Sequence, residues 1–598
     1  MATAKRVGLC GLILLVAVGG GLVWWFGVGG RVQLSSDDPH DSEATVSRRG
    51  MQRLLGDHLD NADPANDGWD SEKFSEAAGK QLKSLAKLAA DLDTHGPGDF
   101  ASIVADDFSC QPLRPTNLKT VLQNSTWTVS RWKAGGASAP VSLKRGAEGL
   151  VEALRELTPS RVKFKIVRVG DLGQAVSTAL FVESTGNRDG RRVQHTAQWN
   201  CRWRASAGSP LLQSIDVVDF EEVVLSSTLG EGLLSDCTEA AVGHTACYGP
   251  QLLRGQGYWA RRVSSRLMDI IGHSGLAIGD ANGDGLEDVY VCQPAGLPNR
   301  LFLHQPDGTV RDASRESGLD WLDYSRSALF LDFDNDGDQD LAINGHGLVL
   351  LLRNDGRGRF GGVGAFRVES GLSMAAVDYN NDGRLDIYIC CYPDRSPVPY
   401  YDAENGVANH LFRNDGGWRF SDVTNEVGLD DNNNRFSFAA GWEDYDNDGD
   451  LDLYVANDYG RNNLYRNDGG RFVDVAASAG VEDMAAGMGV AWADYNRDGW
   501  MDVYVSNMFS SAGNRVTFHR RFEGEAGSVA RAAMQRHARG NSLFSADGSG
   551  GFKDVSVSSG VTMGRWSWDT KFADIDNDGR EDLLVANGYI TNDDPHDL

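Results

Sequence analysis

Six short acidic stretches hold the residues of this chain best suited to chemistry. They begin at Asp280, Asp332, Asp378, Asp444, Asp494 and Asp574, and each fits D-x-[DN]-x-D-G-x-x-D ahead of an apolar run. The fourth reads Asp444-Tyr445-Asp446-Asn447-Asp448-Gly449-Asp450-Leu451-Asp452, then Leu453-Tyr454-Val455. Oxygens at positions 1, 3, 5 and 9 can curl around one hard cation, and Gly at position 6 permits the sharp turn between them. That chemistry is calcium coordination. The candidate ligands are Asp280, Asn282, Asp284 and Asp288; Asp332, Asp334, Asp336 and Asp340; Asp378, Asn380, Asp382 and Asp386; Asp444, Asp446, Asp448 and Asp452; Asp494, Asn496, Asp498 and Asp502; and Asp574, Asp576, Asp578 and Asp582.

An EF-hand closes its cage at position 12 and opens into a helix. Here the cage closes at position 9 and a strand pattern follows, as in Val503-Tyr504-Val505. Metal-free Asp/Asn/Gly turns are the plain alternative, but six copies at fixed spacing argue against it. Loops one, three and five carry three carboxylates at the ligand positions and the other loops four. Like charges crowded in this way repel, and a bound cation relieves the repulsion. Loops one, three and five are therefore expected to bind more weakly. Magnesium resists dehydration and suits such a cage less well.

The elements that position these loops follow from their spacing. Successive loop starts lie 52, 46, 66, 50 and 80 residues apart, a unit of about 50 with insertions. A second pattern recurs between loops: Asn409 through Leu411-Phe412-Arg413-Asn414-Asp415-Gly416, then Phe420, Asp422-Val423-Thr424 and Gly428-Leu429. It returns from Asn463 to Gly480-Val481 and from Asn541 to Gly560-Val561. Each unit thus offers about four short strands with Gly-rich turns, enough for one propeller blade. One such sheet cannot bury both faces alone, so the units are expected to close into a ring.

From about Gly230 the sequence resembles the FG-GAP/VCBS repeat β-propellers, a group that includes integrin α-subunit heads and bacterial relatives of cartilage acidic protein and of UnbV-type proteins. The resemblance implies a six- or seven-bladed propeller with Ca²⁺ held in the loops on one face. The chain ends at Leu598, soon after the sixth loop, so closing strands are expected from Leu233–Gly243, where Asp236-Cys237-Thr238 echoes Asp-Val-Thr. The alternative is that the chain is a fragment.

Residues 71–228 read as a separate α+β domain. Leu82, Leu85, Ala89 and Leu92 recur at helical spacing, and Leu150, Leu154 and Leu157 mark a second helix. Strands are expected at 162–169, 174–184, 191–204 and 211–224, with a hairpin at Asn187-Arg188-Asp189-Gly190. This order of elements resembles the cone-shaped fold of SnoaL-like cyclases and nuclear transport factor 2. Some members of that group use an Asp/His pair, for which Asp106, Asp107 and His195 are the nearby candidates. A structural or dimerising module is the favoured reading.

Val7–Val28 is an uncharged run preceded by Lys5 and Arg6. Its length matches a bilayer span and favours an uncleaved signal anchor over a cleaved signal peptide, with residues 31–70 as a linker. Both readings place the bulk outside the cytoplasm, in the periplasm or at the cell surface. The net charge of −27 argues against nucleic acid as a partner. Eight cysteines are too sparse for a disulfide scaffold. A Cys237–Cys247 bridge and buried free thiols stand about level, and a vicinal Cys390–Cys391 bridge would be strained.

Two insertions give the chain its individual character. One carries Tyr392, Tyr400 and Tyr401 among prolines, suited to a sugar or peptide. The other, 514–541, carries Arg515, Arg520, Arg521, Arg531 and Arg536. These basic residues either hold an anionic ligand or dock on the chain's own acidic surface. The function expected is a membrane-anchored, extracytoplasmic calcium-binding propeller that binds an extracellular or envelope protein or an acidic polysaccharide. An extracytoplasmic hydrolase or lyase is the alternative, although no G-x-S-x-G, H-E-x-x-H or Cys/His constellation supports it.

Overall fold

The structure is a computed structural model that describes residues 69–134, 142–205, 209–226, 234–254, 256–259, 262, 274–345, 347–393, 402–519, 522 and 527–588. The chain divides into two compact units. Among the described residues, 69–235 and Ser510–Gln535 form the first, and Asp236–Phe509 with 536–588 the second. The segment Val7–Val28, expected to be an anchor, lies outside the described residues. Among those described, no helix is long and apolar enough to cross a membrane.

In the first unit, helix α1 (Asp70–Ala89) buries Leu82, Leu85 and Ala89, three of the four residues whose spacing marks it as a helix; the fourth, Leu92, is buried just past its end. Helix α2 (Gly146–Arg155) buries Leu150, Val151 and Leu154. Both helices pack on the face of one eight-stranded sheet that carries Trp199, Trp203 and Phe220. The four long strands are β5 (Pro159–Val169), β6 (Ala175–Arg188), β7 (Arg191–Arg204) and β8 (Leu211–Leu225). Side chains of β7 alternate between core and solvent along its length, as one covered face requires. The hairpin between β6 and β7 pairs Arg188 with Arg191 across Asp189 and Gly190, both at positive φ, which is the two-residue turn that matches strand twist. Four further strands, β1 (Val104–Cys110), β2 (Lys119–Gln123), β3 (Trp127–Lys133) and β4 (Lys144–Arg145), were not anticipated. β2 is exposed along nearly its whole length, so it lacks the apolar alternation that betrays a strand.

The second unit is mainly β. Five four-stranded antiparallel sheets follow one another, each with its strands in chain order. The fourth is built from Phe436–Glu443, Asp452–Tyr459, Asn463–Asn467 and Phe472–Asp474. A sixth sheet has the two described strands Ser567–Ala573 and Asp582–Asn587. Every acidic loop joins the first strand of its sheet to the second.

Apolar clusters lie between successive sheets. Tyr290 and Leu301 of the first sheet pack with Phe330 and Leu341 of the second. Val349 and Leu351 pack with Ile387 and Phe412 of the third. Tyr388 and Leu411 pack with Leu453 and Tyr465 of the fourth, and Tyr454 and Leu464 with Val503 and Phe544 of the fifth. The second, third and fourth sheets are therefore covered on both faces, and their second strands are buried along most of their length.

The closing strands expected from Leu233–Gly243 are not seen among the described residues. Thr238–Val242 is instead a short helix, with Asp236 Oδ1 accepting from Thr238 N. The same Asp-to-third-residue bond opens the short helices after Asp422, Asp474 and Asp554. The Asp-Cys-Thr echo is therefore a helix-opening turn, with no strand directly before it among the described residues. None of the seven described cysteines forms a disulfide, and burial pushes the Cys390 thiol up to about 12.

Candidate metal centres

Each loop is wound around its own carboxylates. The Asp at position 1 accepts from the backbone N–H of positions 5 and 6. In loop four, Asp448 N donates to Asp444 Oδ1 at 3.0 Å and Gly449 N to Oδ2 at 3.0 Å. The same pair of bonds recurs in the other five loops. Two left-handed residues make the curl possible: the Gly at position 6, and position 4, filled by Gly283, Asn335, Asn381, Asn447, Arg497 and Asn577. Glycine and asparagine tolerate that conformation best, and Arg497 is the exception.

The Asp at position 9 does a second job. Asp452 is fully buried; its Oδ1 accepts from Asn467 N on the third strand at 2.7 Å and its Oδ2 from Tyr445 N at 3.2 Å. Asp288, Asp340, Asp386 and Asp502 tie their loops to their third strands in the same way. An Asn at the end of the third strand then reaches the neighbouring sheet. Asn467 Nδ2 donates to Tyr379 O of loop three and Leu451 O of loop four. Asn354 and Asn414 make the corresponding pairs. His304 and Ala546 occupy that strand end in the first and fifth sheets. Replacing Asn467 by alanine strands one buried and one part-buried carbonyl and is expected to cost about 1–3 kcal/mol in a denaturant melt.

Several of these carboxylate oxygens have no donor. One oxygen each of Asp334, Asp386, Asp446 and Asp502 is buried without a hydrogen-bond partner. Oxygens of Asp332, Asp334 and Asp336, of Asp444, Asp446 and Asp452, and of Asp574, Asp576 and Asp582 lie within 4.8 Å of one another. Buried anions need a partner, and a set of hard oxygens this close fits a hard divalent cation. Arg353 meets part of the charge in loop two, through Asp334 and Asp336, and Arg384 part of that in loop three, through Asp382.

Burial raises the position-9 carboxyls, to about 6 at Asp288, Asp340 and Asp502, about 7 at Asp386 and about 8 at Asp452, with neighbouring carboxylates adding to the rise. In the ion-free protein each such group contributes stability that is complete below the ordinary carboxyl value of 3.8. That contribution is lost as the pH rises through these values. A cation that competes with those protons is expected to raise the melting temperature more at pH 8 than at pH 5, which paired melts with and without EGTA measure.

The other candidate residues are placed differently. Arg515 is buried in the first unit, its Nε and Nη2 on Glu72 and its Nη1 on Ile166 O. Arg531 donates to Thr517 O. Arg536 pairs with Asp483 and Asp554, and Arg539 with Asp554. These bonds spend the insertion's described arginines within the chain. Tyr392 is buried against Phe436 and Phe438, with its hydroxyl on Asp458. Arg520, Arg521, Tyr400 and Tyr401 lie outside the described residues.

Asp106 and Asp107 are not brought to His195. Asp107 is exposed and bonds Arg204 and Gln213. His195 is buried between Ser184 and Glu222, at 3.0 and 3.1 Å. Burial alone would raise the Glu222 carboxyl, but hydrogen bonds from Arg114, His195 and Arg188 outweigh it and hold Glu222 below the usual range. Glu222 and the two arginines were missed because their partners lie far apart in sequence.

Residues 280–343, 332–389 and 444–505 match the FG-GAP-like repeat. The chain thus carries FG-GAP-like repeats in three places, each spanning at least one of the acidic loops described above. It is homologous to cartilage acidic protein 1. Identity to the Xenopus tropicalis protein is 37% over 196 residues, covering 31% of this chain and 29% of that one. Identity to the human protein is 36% over 150 residues, covering 24% and 21%. The match therefore spans less than a third of either relative. Among solved structures, an Agrocybe aegerita lectin recognising non-reducing terminal N-acetylglucosamine aligns at 17% identity and a TM-score of 0.33, over 52% of this chain and 74% of the lectin. An NTF2-like protein of Shewanella baltica aligns at 11% identity and a TM-score of 0.16, over 24% of this chain and 91% of its own.

Proposed function

We propose that this chain is an extracytoplasmic interaction module: a ring of sheets, a β-propeller, whose acidic loops each hold one Ca²⁺, anchored in the membrane by Val7–Val28. Its partner is an extracellular or envelope protein or an acidic polysaccharide. The observation that carries the reading is the set of buried carboxylate oxygens without donors, at position 3 in loops two and four (Asp334, Asp446) and at position 9 in loops three and five (Asp386, Asp502). Calcium supplies the missing positive charge there and fixes the turn between the first and second strands; it performs no bond chemistry. The propeller reading is supported by apolar clusters between successive sheets, which leave the strand edges and turns as the free surface.

The experiment is a binding screen of the full chain in detergent against envelope proteins and acidic glycans, in millimolar Ca²⁺ and in EGTA. Binding that appears in Ca²⁺ and disappears in EGTA supports the reading. Binding that is indifferent to the chelator overturns calcium's place in it, and the absence of any binding overturns the interaction module.

A further inference from the structure

A cavity of about 360 Å³ lies beside the fourth acidic loop, where the fourth and fifth sheets face each other. Its walls come from five places. Loop four supplies Tyr445, Asp446 and Asp448; the third strand of that sheet supplies Arg466; the short helix at 476–479 supplies Ser478 and Ala479; loop five and the 547–551 turn supply Trp500, Gly548 and Ser549.

Two polar groups in this wall are unused. Tyr445 is only 4% exposed, and its hydroxyl makes no hydrogen bond among the described residues. The Trp500 indole N–H likewise has no partner among them, since only its backbone N–H donates, to Asp498. Gly548 lets the turn lie against that indole. It sits at φ +72°, and a Cβ there would stand 2.9 Å from Trp500 Nε1. The aromatic wall is therefore built into the fold and is not a side chain loose on the surface.

We infer that this cavity binds a neutral sugar residue, with Trp500 against a ring face and the free donors and carboxylates on its hydroxyls. A pyranose offers an apolar C–H face and a rim of hydroxyls, which suits a pocket with one indole wall and scattered polar groups. Charge decides against an anion. Asp446 and Asp448 are negative, and the Arg466 guanidinium is already taken up by both oxygens of Asp468, at 2.8 and 2.9 Å. A divalent ion in loop four would offset only part of its four carboxylates. This assignment goes beyond the acidic-polysaccharide partner above and rests on the second unit's fold alone.

The test is saturation-transfer NMR on the full chain in detergent and millimolar Ca²⁺. The probes are the methyl glycosides of glucose, galactose and N-acetylglucosamine, with methyl glucuronide as the anionic control. The expected result is transfer to the ring protons of at least one neutral glycoside and weaker transfer to the glucuronide. Trp500→Ala should weaken binding by about tenfold or more. Ser478→Trp, an exposed position that fills the cavity, should abolish it and leave the melting temperature unchanged. No transfer to any neutral glycoside, a preference for the glucuronide, or binding that survives Ser478→Trp would overturn the assignment. If calcium-dependent melting persists while the glycosides fail, only the pocket is lost and the reading of the metal loops stands.

Discussion

Arg515→Ala is expected to destabilise the first unit by about 3–5 kcal/mol, because it leaves the buried Glu72 carboxylate without its partner. The side chains are 8% and 5% exposed, and Arg515 makes three bonds to the two oxygens of Glu72 and a fourth to Ile166 O at 2.7 Å. Around this pair, Arg168 Nη1 meets Asn514 Oδ1 at 3.2 Å and its guanidinium lies 3.4 Å over the Phe518 ring. The segment Ser510–Gln535 is thus a structural part of the first unit, although some 440 residues separate Arg515 from Glu72. Replacing both partners by leucine is expected to restore most of the loss, since the desolvation of two charges vanishes together with their attraction. Hydrogen exchange of α1 and of β5 reads the effect. A loss in Arg515→Ala below about 1 kcal/mol would mean that the pair behaves as an exposed one.

Asp452→Ala is the second large effect, and its two components separate by chelation. The carboxylate is both a candidate metal ligand and the acceptor for Asn467 N and Tyr445 N. Its removal leaves two buried donors unmet at about 1–3 kcal/mol each, so the variant melts lower than the parent even in EGTA. Asp448→Ala removes a carboxylate from the exposed rim of the same loop, where, among the described residues, Oδ1 accepts only from Asp450 N at 2.9 Å. That variant is expected to match the parent in EGTA and to fall behind only in Ca²⁺. Equal behaviour of the two variants would deny position 9 its structural role.

The loops were legible because their chemistry is local. Positions 1, 3, 5, 6 and 9 lie within nine residues, and the strands that follow show themselves by apolar runs. The 187–190 hairpin was legible for the same reason. What was hidden depends on pairs that the sequence keeps apart. The bond from Asp452 to Asn467 needs the register of the fourth sheet, and the reach of Asn467 to Tyr379 needs the packing of two sheets. A signal for the latter was present in the repeated Arg-Asn-Asp-Gly at 353–356, 413–416 and 466–469. The insertion's basic composition announced charge but not destination, since its acidic partners come from Glu72, Asp483 and Asp554. The strands β2 and β4 were missed because short strands with exposed faces carry no period to detect, and β1 because its buried Val104-Ala105 and exposed Asp106-Asp107 pairs break the alternation of a half-buried strand.

The most direct test of the metal reading is differential scanning calorimetry of the full chain in millimolar Ca²⁺ and in EGTA. Each filled site adds about 2.7 kcal/mol when free ion exceeds Kd a hundredfold, so the transition of the second unit is predicted to rise by about 5 °C or more in Ca²⁺. The first unit's transition should stay where it is. Coincident second-unit transitions in the two buffers would contradict the account.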